Sequence, residues 1–495
     1  MENKVQNAVR WASITEIIAK LISPITNMIL ARILSPEAFG IVATVTMIIS
    51  FADMFTDAGF QKYLIQHQFK NEKEKFQNTT VAFWTNLIIS LLLWGVVSFF
   101  SDSIAIMVGN PGLGNVITIA CISLPLTSFS SIQMALYRRD FNYKTLFFTR
   151  IVGILIPFVI IIPLALLGLS YWALIIGTIC GNLSNAIILT FNSEWKPIRY
   201  YSFKILKDML SFSLWSLVEA VSIWLTTWIG TFIVATELSS YYLGIYKTSM
   251  NTVNGIMAII TGATTPILFA ALSEMQNDEE EYKKIFFKFQ RLVGMLVIPL
   301  GVGIFIYRNL VTNIMLGSQW SEGSMLIGLW GLTSALSIVF ANYSSEVFRS
   351  KGRPQLSFLA QMIHLVFLIP TCVISAKYGY TVLVYARSLI RLQFIVVQLI
   401  LMYFVIKVSP LKMLKNVLPF LIGASLMGGL AYWLQQLNEG ILWSLLSIGV
   451  CIIFYFGIVM LFTDVRNEIK QIVSSNKTLL RIINVFKIKK IEVKV

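Results

Sequence analysis

The stretch Ile29–Thr44, ILARILSPEAFGIVAT, has a second copy in the chain: Ile233–Thr248 reads IVATELSSYYLGIYKT. At a constant offset of 204 residues, Ile29/Ile233, Ala31/Ala235, Leu34/Leu238, Ser35/Ser239, Gly40/Gly244, Ile41/Ile245 and Thr44/Thr248 are identical, seven matches in sixteen without a gap. Trp11 falls on Trp215 at the same offset. Each copy is an apolar run, a short Ser-containing break, a glycine and a second apolar run. Two apolar helices joined by a tight turn, repeated after about two hundred residues, predict a chain built from two like halves.

Composition places those halves in a membrane. Of the 495 residues 56% are hydrophobic and only 13% charged, against about 25% charged in a soluble protein. Apolar runs of about twenty residues follow one another almost to the end, and in hydrocarbon each backbone polar group must be bonded within its own segment. The expected fold is all-α with about fourteen transmembrane helices, near 11–34, 38–57, 79–100, 113–137, 146–168, 171–191, 212–235, 243–272, 286–307, 324–348, 355–376, 380–405, 416–437 and 440–462. The polar piece Asn192–Ser211 marks the boundary between two six-helix lobes, 1–200 and 201–405; a helix pair (406–462) and a basic cytoplasmic tail (463–495) follow. The first run, Trp11–Leu34, is too long for a signal-peptide core and lacks a small-residue cleavage site.

Charge placement agrees with this count. Lys and Arg are held on the cytoplasmic side during insertion. They recur after every second span: Lys62, Lys70, Lys73 and Lys75; Arg138, Arg139 and Lys144; Lys196, Arg199, Lys204 and Lys207; Lys283, Lys284 and Lys288; Arg349, Lys351 and Arg353; Lys407, Lys412 and Lys415. The opposite loops carry only Arg32, Arg308 and Lys377. Both termini are therefore expected in the cytoplasm, and the net charge of +15 is a matter of topology that requires no nucleic-acid partner. An even number of spans per repeat gives both halves one orientation, related by a pseudo-two-fold axis along the membrane normal, with a cleft between them suited to alternating access.

The ILARILSPEAFG turn resembles the signature of the polysaccharide-transporter branch of the multidrug/oligosaccharidyl-lipid/polysaccharide exporter superfamily. TTPILFAALSEMQND (264–278), GSQW (317–320) and the Arg138–Tyr143 turn are similar to the same branch, in particular to colanic-acid exporter-like flippases. The branch usually has Phe-Pro where this chain has Phe269-Ala270, so no function is carried to Ala270. The resemblance implies movement of a polyprenyl-pyrophosphate-linked oligosaccharide, a repeat unit of exopolysaccharide, lipopolysaccharide or capsule, from the inner to the outer leaflet of the bacterial plasma membrane. Membrane lipids and polysaccharide polymerase or assembly proteins are expected as partners, and the lack of a nucleotide-binding loop together with carboxylates inside spans leads to the expectation of an ion gradient, of H+ or Na+, as the driving force.

An anionic carrier and a polar glycan need a polar, cationic cavity, and ionisable residues inside spans are costly unless they face one. Candidate substrate-binding residues are Arg391, Arg387, Lys20, Arg32, Lys247 and Arg150; candidate ion-coupling residues are Glu219, Glu16, Asp53 and Glu346. Arg387 and Arg391 share a face of the twelfth span with no acid within a turn, and Lys20 is expected to face them from the other lobe. Glu16 lies four residues before Lys20, which reads equally as a buried tie or as part of a cavity. Arg32, Arg150, Lys247 and Glu346, nearer helix ends, also fit snorkelling to headgroups, and Asp53 an inner helix end.

The chain has no phosphate-binding Gly-x-x-x-x-Gly-Lys-Ser/Thr loop, and two histidines and four cysteines form no metal spacing. No cofactor and no enzymatic role are expected. Two alternatives stay open: a cation-coupled exporter of small molecules, which would call for carboxylates facing the cavity, and a polysaccharide polymerase, which would call for a large catalytic external loop.

Overall fold

The computed structural model describes residues 2–57, 60–438 and 440–467; the side chains of 1–10, of 211–220 and of some helical residues, Glu16 among them, lie outside the described set. The chain runs α1 (Glu2–Ile33), α2 (Pro36–Asp57), α3 (Phe60–Gln66), α4 (Glu72–Phe99), α5 (Ser101–Met107), α6 (Gly114–Ala120), α7 (Ser123–Arg139), α8 (Tyr143–Leu166), α9 (Tyr171–Asn192) and α10 (Phe203–Glu237). It continues through α11 (Ser240–Glu274), α12 (Glu279–Ile306), α13 (Arg308–Met315), α14 (Ser324–Ser337), α15 (Tyr343–Ser350), α16 (Gln355–Ala376), α17 (Tyr380–Ile406), α18 (Pro410–Leu437) and α19 (Ile441–Val459). No strand occurs among the described residues.

Eleven of these spans are long and apolar enough to cross a membrane, or twelve with the bent α11 counted as one. The protein is a multi-pass membrane protein. The expected spans at 11–34 and 212–235 coincide with α1 and α10, where the count falls on residues outside the described set. Several spans depart from uniform helices for local reasons. Pro125 has no N–H for the carbonyl four residues back, and the span breaks at Cys121–Ile122 between α6 and α7. Pro266 does the same to the Gly262 carbonyl, and α11 bends by 40° between Gly262 and Thr264. A π-turn at Ile338–Asn342 interrupts the tenth span between α14 and α15. At the lysine-rich loops polar caps start the helices: Asn71 accepts from the Glu74 amide (2.8 Å) while Glu74 accepts from the Lys70 amide (2.7 Å).

The two copies of the repeat touch each other. A Cβ on Gly40 would overlap the Ser240 carbonyl, and a Cβ on Gly244 would overlap the Pro36 carbonyl. Pro36 and Ser240, like Gly40 and Gly244, are 204 residues apart, so each contact is the other with the halves exchanged. Such reciprocity is the mark of a two-fold relation. Small residues here let the backbones of α2 and α11 meet, as in other close membrane helix pairs.

Candidate functional site

The site is built outward from that crossing. At the lysine-poor end of the helices, each half reaches over the first helix of the other. Gln319 Nε2 and Trp320 Nε1 donate to the Ala31 carbonyl at 2.6 and 2.7 Å, and Gln319 also to the Leu34 carbonyl at 3.1 Å. Trp320 is fully buried, edge-on to Phe39. On the other side Gly109, at φ +73°, lies so close to the carbonyl of Ala235 that a Cβ would overlap it, and Ala235 is the repeat mate of Ala31. Its neighbour Asn110 pairs with Ser240 and donates to Thr44 (3.3 Å). The halves are clasped on one side through carbonyls that the end of α1 leaves free, and on the other by the close approach of Gly109 to Ala235 and the Asn110–Ser240 side-chain pair.

Behind the clasp a cavity of about 240 Å³ lies between the halves, with Asn27 from α1, Thr46 from α2, Trp228 from α10, and Lys247 and Asn251 from α11 on its walls. The Lys247 ammonium stands 3.9 Å over the Trp228 ring, a cation–π contact that steadies a charge in a dry setting. Among the described residues this wall offers a cation and amides but no carboxylate.

The arginine pair sits on the far side of α11. Arg387 and Arg391 of α17 both stack on the indole of Trp330 of α14, at 4.9 and 4.0 Å. Arg387 Nε donates to the Tyr246 hydroxyl (3.2 Å), and Arg391 to Ser334 Oγ (2.7 Å) and Thr333 Oγ1 (3.4 Å). Trp330 is oriented by its own N–H on Asn254 (3.0 Å). Arg387 is 8% exposed, and its Nη1 has no hydrogen-bond partner among the described residues. No described carboxylate lies within ion-pair distance of either guanidinium. Arg391 is not tied to Glu346. Two cations thus share one aromatic ring inside the membrane and keep donors for an anion.

Lys20 does not face this pair. Its ammonium lies against Gly262, and Pro24 against Gly255, both on α11. Gly255 and Gly262 are nine and sixteen residues beyond Tyr246, about 180° and 160° around the helix at about 100° per residue. The body of α11 separates Lys20 from the arginines.

The remaining candidates are scattered. Arg32 is exposed at the clasp end and donates to the Ile314 carbonyl (2.9 Å). Arg150 is exposed on α8. Asp53 accepts from Thr56 (3.0 Å) and from Thr127 of α7 (3.2 Å). Glu346 pairs with Arg349 one turn on (3.2 Å), a local tie within α15. The side chains of Glu16 and Glu219, and the tail beyond residue 467, lie outside the described residues. The reading from sequence missed Trp330, Tyr246 and Trp228. Aromatics at helical spacing carry no mark that separates a platform for cations from ordinary core.

This arrangement defines a helical membrane transporter of two clasped halves with cationic, aromatic-lined interiors. The fold is that of "Lipid II flippase MurJ, inward closed conformation", with a TM-score of 0.72 at 16% identity, covering 92% of this chain and 100% of that one. Residues 29–325 match the family described as "Polysaccharide biosynthesis protein", and the chain belongs to that family. It is similar to the lipopolysaccharide biosynthesis protein WzxC of Escherichia coli (strain K12), 23% identical over 383 residues covering 76% of each chain. It is also similar to the succinoglycan biosynthesis transport protein ExoT of Rhizobium meliloti (strain 1021), 23% identical over 312 residues covering 63% of this chain and 62% of that one.

Proposed function

We propose that this protein is a flippase for a polyprenyl-pyrophosphate-linked oligosaccharide, moving a repeat unit of an exported polysaccharide from the inner to the outer leaflet of the bacterial plasma membrane. The observation that carries the reading is the Arg387–Arg391 pair on Trp330, held in the membrane with no carboxylate among the described residues in ion-pair reach. A buried guanidinium persists there only against aromatic faces, hydroxyls, water or an anion, and its planar fork matches phosphate oxygens two at a time. Family membership and the names of the relatives, a lipopolysaccharide biosynthesis protein and a succinoglycan transport protein, support the same substrate class.

The lobes 1–200 and 201–405 rock about the Gly40–Gly244 crossing, with 406–462 attached to the second. In the conformation described, the clasp seals the lysine-poor side, which is the extracytoplasmic one, and both termini are cytoplasmic. Lys247 in the cavity between the halves and the arginine pair behind α11 form successive cationic stations for the pyrophosphate or an acidic sugar. Lys20, Arg32 and Arg150 are left to the packing and interfacial positions they occupy. Transport is driven by an ion gradient, with Asp53 and its two threonine hydroxyls the best-furnished coupling site among the described acids. Export of small cations is disfavoured, because the cavity between the halves presents Lys247 where such a substrate needs a carboxylate.

The test is complementation in a strain lacking the protein, following surface polysaccharide and accumulated lipid-linked precursor. Arg391→Ala should abolish surface polymer and raise precursor while membrane insertion is retained. Normal polymer from Arg391→Ala overturns the substrate role.

A further inference from the structure

On the lysine-poor side a cavity of about 510 Å³ opens beside the clasp. Its walls come from three places in the fold: Arg32 at the end of α1, residues of α13 and the turn after it, and Ile441 at the start of α19. Arg32 is the one cation among the described residues that line it, and none of them is an acid. One guanidinium nitrogen donates to the Ile314 carbonyl (2.9 Å). The rest of the guanidinium, the Asn313 amide and the Ser318 hydroxyl, all on the walls, have no partner among the described residues. Gly317, at φ +105°, brings the turn against the arginine: a Cβ there would lie 3.8 Å from Arg32 Cγ.

Insertion leaves few cations on this side; in the loops they are Arg32, Arg308 and Lys377. Arg308 is spent locally, on the Phe305 carbonyl (3.2 Å) and ring, and Lys377 is not on the cavity wall. Snorkelling accounts for a charge at the end of α1 but not for its company. A guanidinium, an amide and a hydroxyl around one space, with no carboxylate among them, form a donor set that matches phosphate oxygens.

We propose that this cavity is a phosphate site on the outer face, bound by Arg32, Asn313 and Ser318, and that its occupant holds the clasp closed. The donors belong to different halves. Arg32 follows Ala31, whose carbonyl takes Gln319 and Trp320, and Ser318 directly precedes that pair. Opening the clasp separates Arg32 from Asn313 and Ser318, so phosphate binds the closed form and by linkage favours it. The phosphate is that of a diphosphate carrier delivered to the outer leaflet or of a lipid headgroup there. A carrier that has crossed closes the gate behind it in this way. The latch rests on the reading of the clasp as the outer gate; the site itself does not.

The test uses right-side-out membrane vesicles carrying the full-length chain with Thr248→Cys as its single thiol, since Thr248 lies on the cavity behind the clasp. Impermeant maleimide and inorganic pyrophosphate are added outside only. Pyrophosphate at about ten times its dissociation constant should slow labelling about tenfold. Arg32→Gln should weaken that binding about 10- to 100-fold, with Arg32→Lys intermediate. Arg32→Gln also gives up the Ile314 bond, which loosens the clasp by itself. Asn313→Ala with Ser318→Ala leaves that bond in place and should still weaken the response. Lys377→Gln, an exposed cation elsewhere on this side, should change nothing. Proteoliposomes of phosphatidylcholine, with or without phosphatidylglycerol, separate the two sources. Arg32-dependent slowing by phosphatidylglycerol alone assigns the site to a headgroup; slowing by pyrophosphate alone assigns it to the carrier. Labelling indifferent to both, or slowing that survives in Arg32→Gln and in the Asn313–Ser318 double variant, overturns the proposal. The gate reading fails separately, if Trp320→Phe labels at the parental rate. The site then stands or falls on whether pyrophosphate raises the unfolding midpoint of the parent more than that of Arg32→Gln.

Discussion

Trp320→Phe isolates one fastening of the clasp. The indole N–H is bonded to the Ala31 carbonyl at 2.7 Å, and Phe keeps the aromatic contact with Phe39 while removing that donor and part of a fully buried ring. Ala31 O retains Gln319 at 2.6 Å, so the loss is one neutral hydrogen bond, about 0.5–1.5 kcal/mol, plus a small packing defect. A total of about 1–2 kcal/mol, felt only while the clasp is closed, shifts the closed-to-open ratio by about 5–30-fold. The readout is a single thiol in a background lacking Cys121, Cys180, Cys372 and Cys451. Thr248→Cys serves, since Thr248 is 4% exposed on the cavity behind the clasp. Labelling by a membrane-impermeant maleimide added outside should rise by that factor in Trp320→Phe. Adding Gln319→Leu strands the Ala31 carbonyl and should raise it again by about 1–3 kcal/mol. Labelling at the parental rate in both variants, or an equal rise from the cytoplasmic side, would refute the clasp as an outer gate.

Three further outcomes are expected. Gly244→Ala would ordinarily favour a helix by about 1 kcal/mol, yet here its Cβ overlaps the Pro36 carbonyl. Thermal unfolding should therefore show a net loss of about 1–3 kcal/mol, and Gly40→Ala, the mirror contact, should match it. Arg391→Lys should restore part of the export lost in Arg391→Ala, because an ammonium keeps the charge but not the fork that reaches Ser334, Thr333 and Trp330 together; full recovery would reduce the role to charge alone. Asp53→Asn should leave the protein folded, with Thr56 and Thr127 still bonded to the amide oxygen, but should make flipping in sealed vesicles insensitive to collapse of the ion gradients; undiminished gradient dependence would remove Asp53 from the coupling.

The sequence by itself determined what a bilayer imposes on a chain one residue at a time. Hydrocarbon demands uninterrupted apolar runs, and insertion sorts Lys and Arg by side, so span positions were legible without any contact being known. The repeat around Gly40 and Gly244 was legible for a related reason: a backbone-to-backbone approach tolerates no Cβ, and that leaves a mark in composition. The break at Cys121–Ile122, where the Leu124 amide takes the carbonyl freed by Pro125, and the bend within α11 near Pro266 were not announced by prolines inside spans, which uniform helices also carry. Rotation of each helix about its own axis was likewise out of reach. Lys20 and the arginine pair both read as deep cations, and depth follows from counting residues. Which of them meet follows from the side of α11 that packs on Pro24 and the side that carries Tyr246. That choice belongs to the tertiary structure, because an apolar helix in lipid has no amphipathic face to orient it, and only the fit of Gly255 and Gly262 against α1 and of Trp330 beneath two guanidiniums sets the angle.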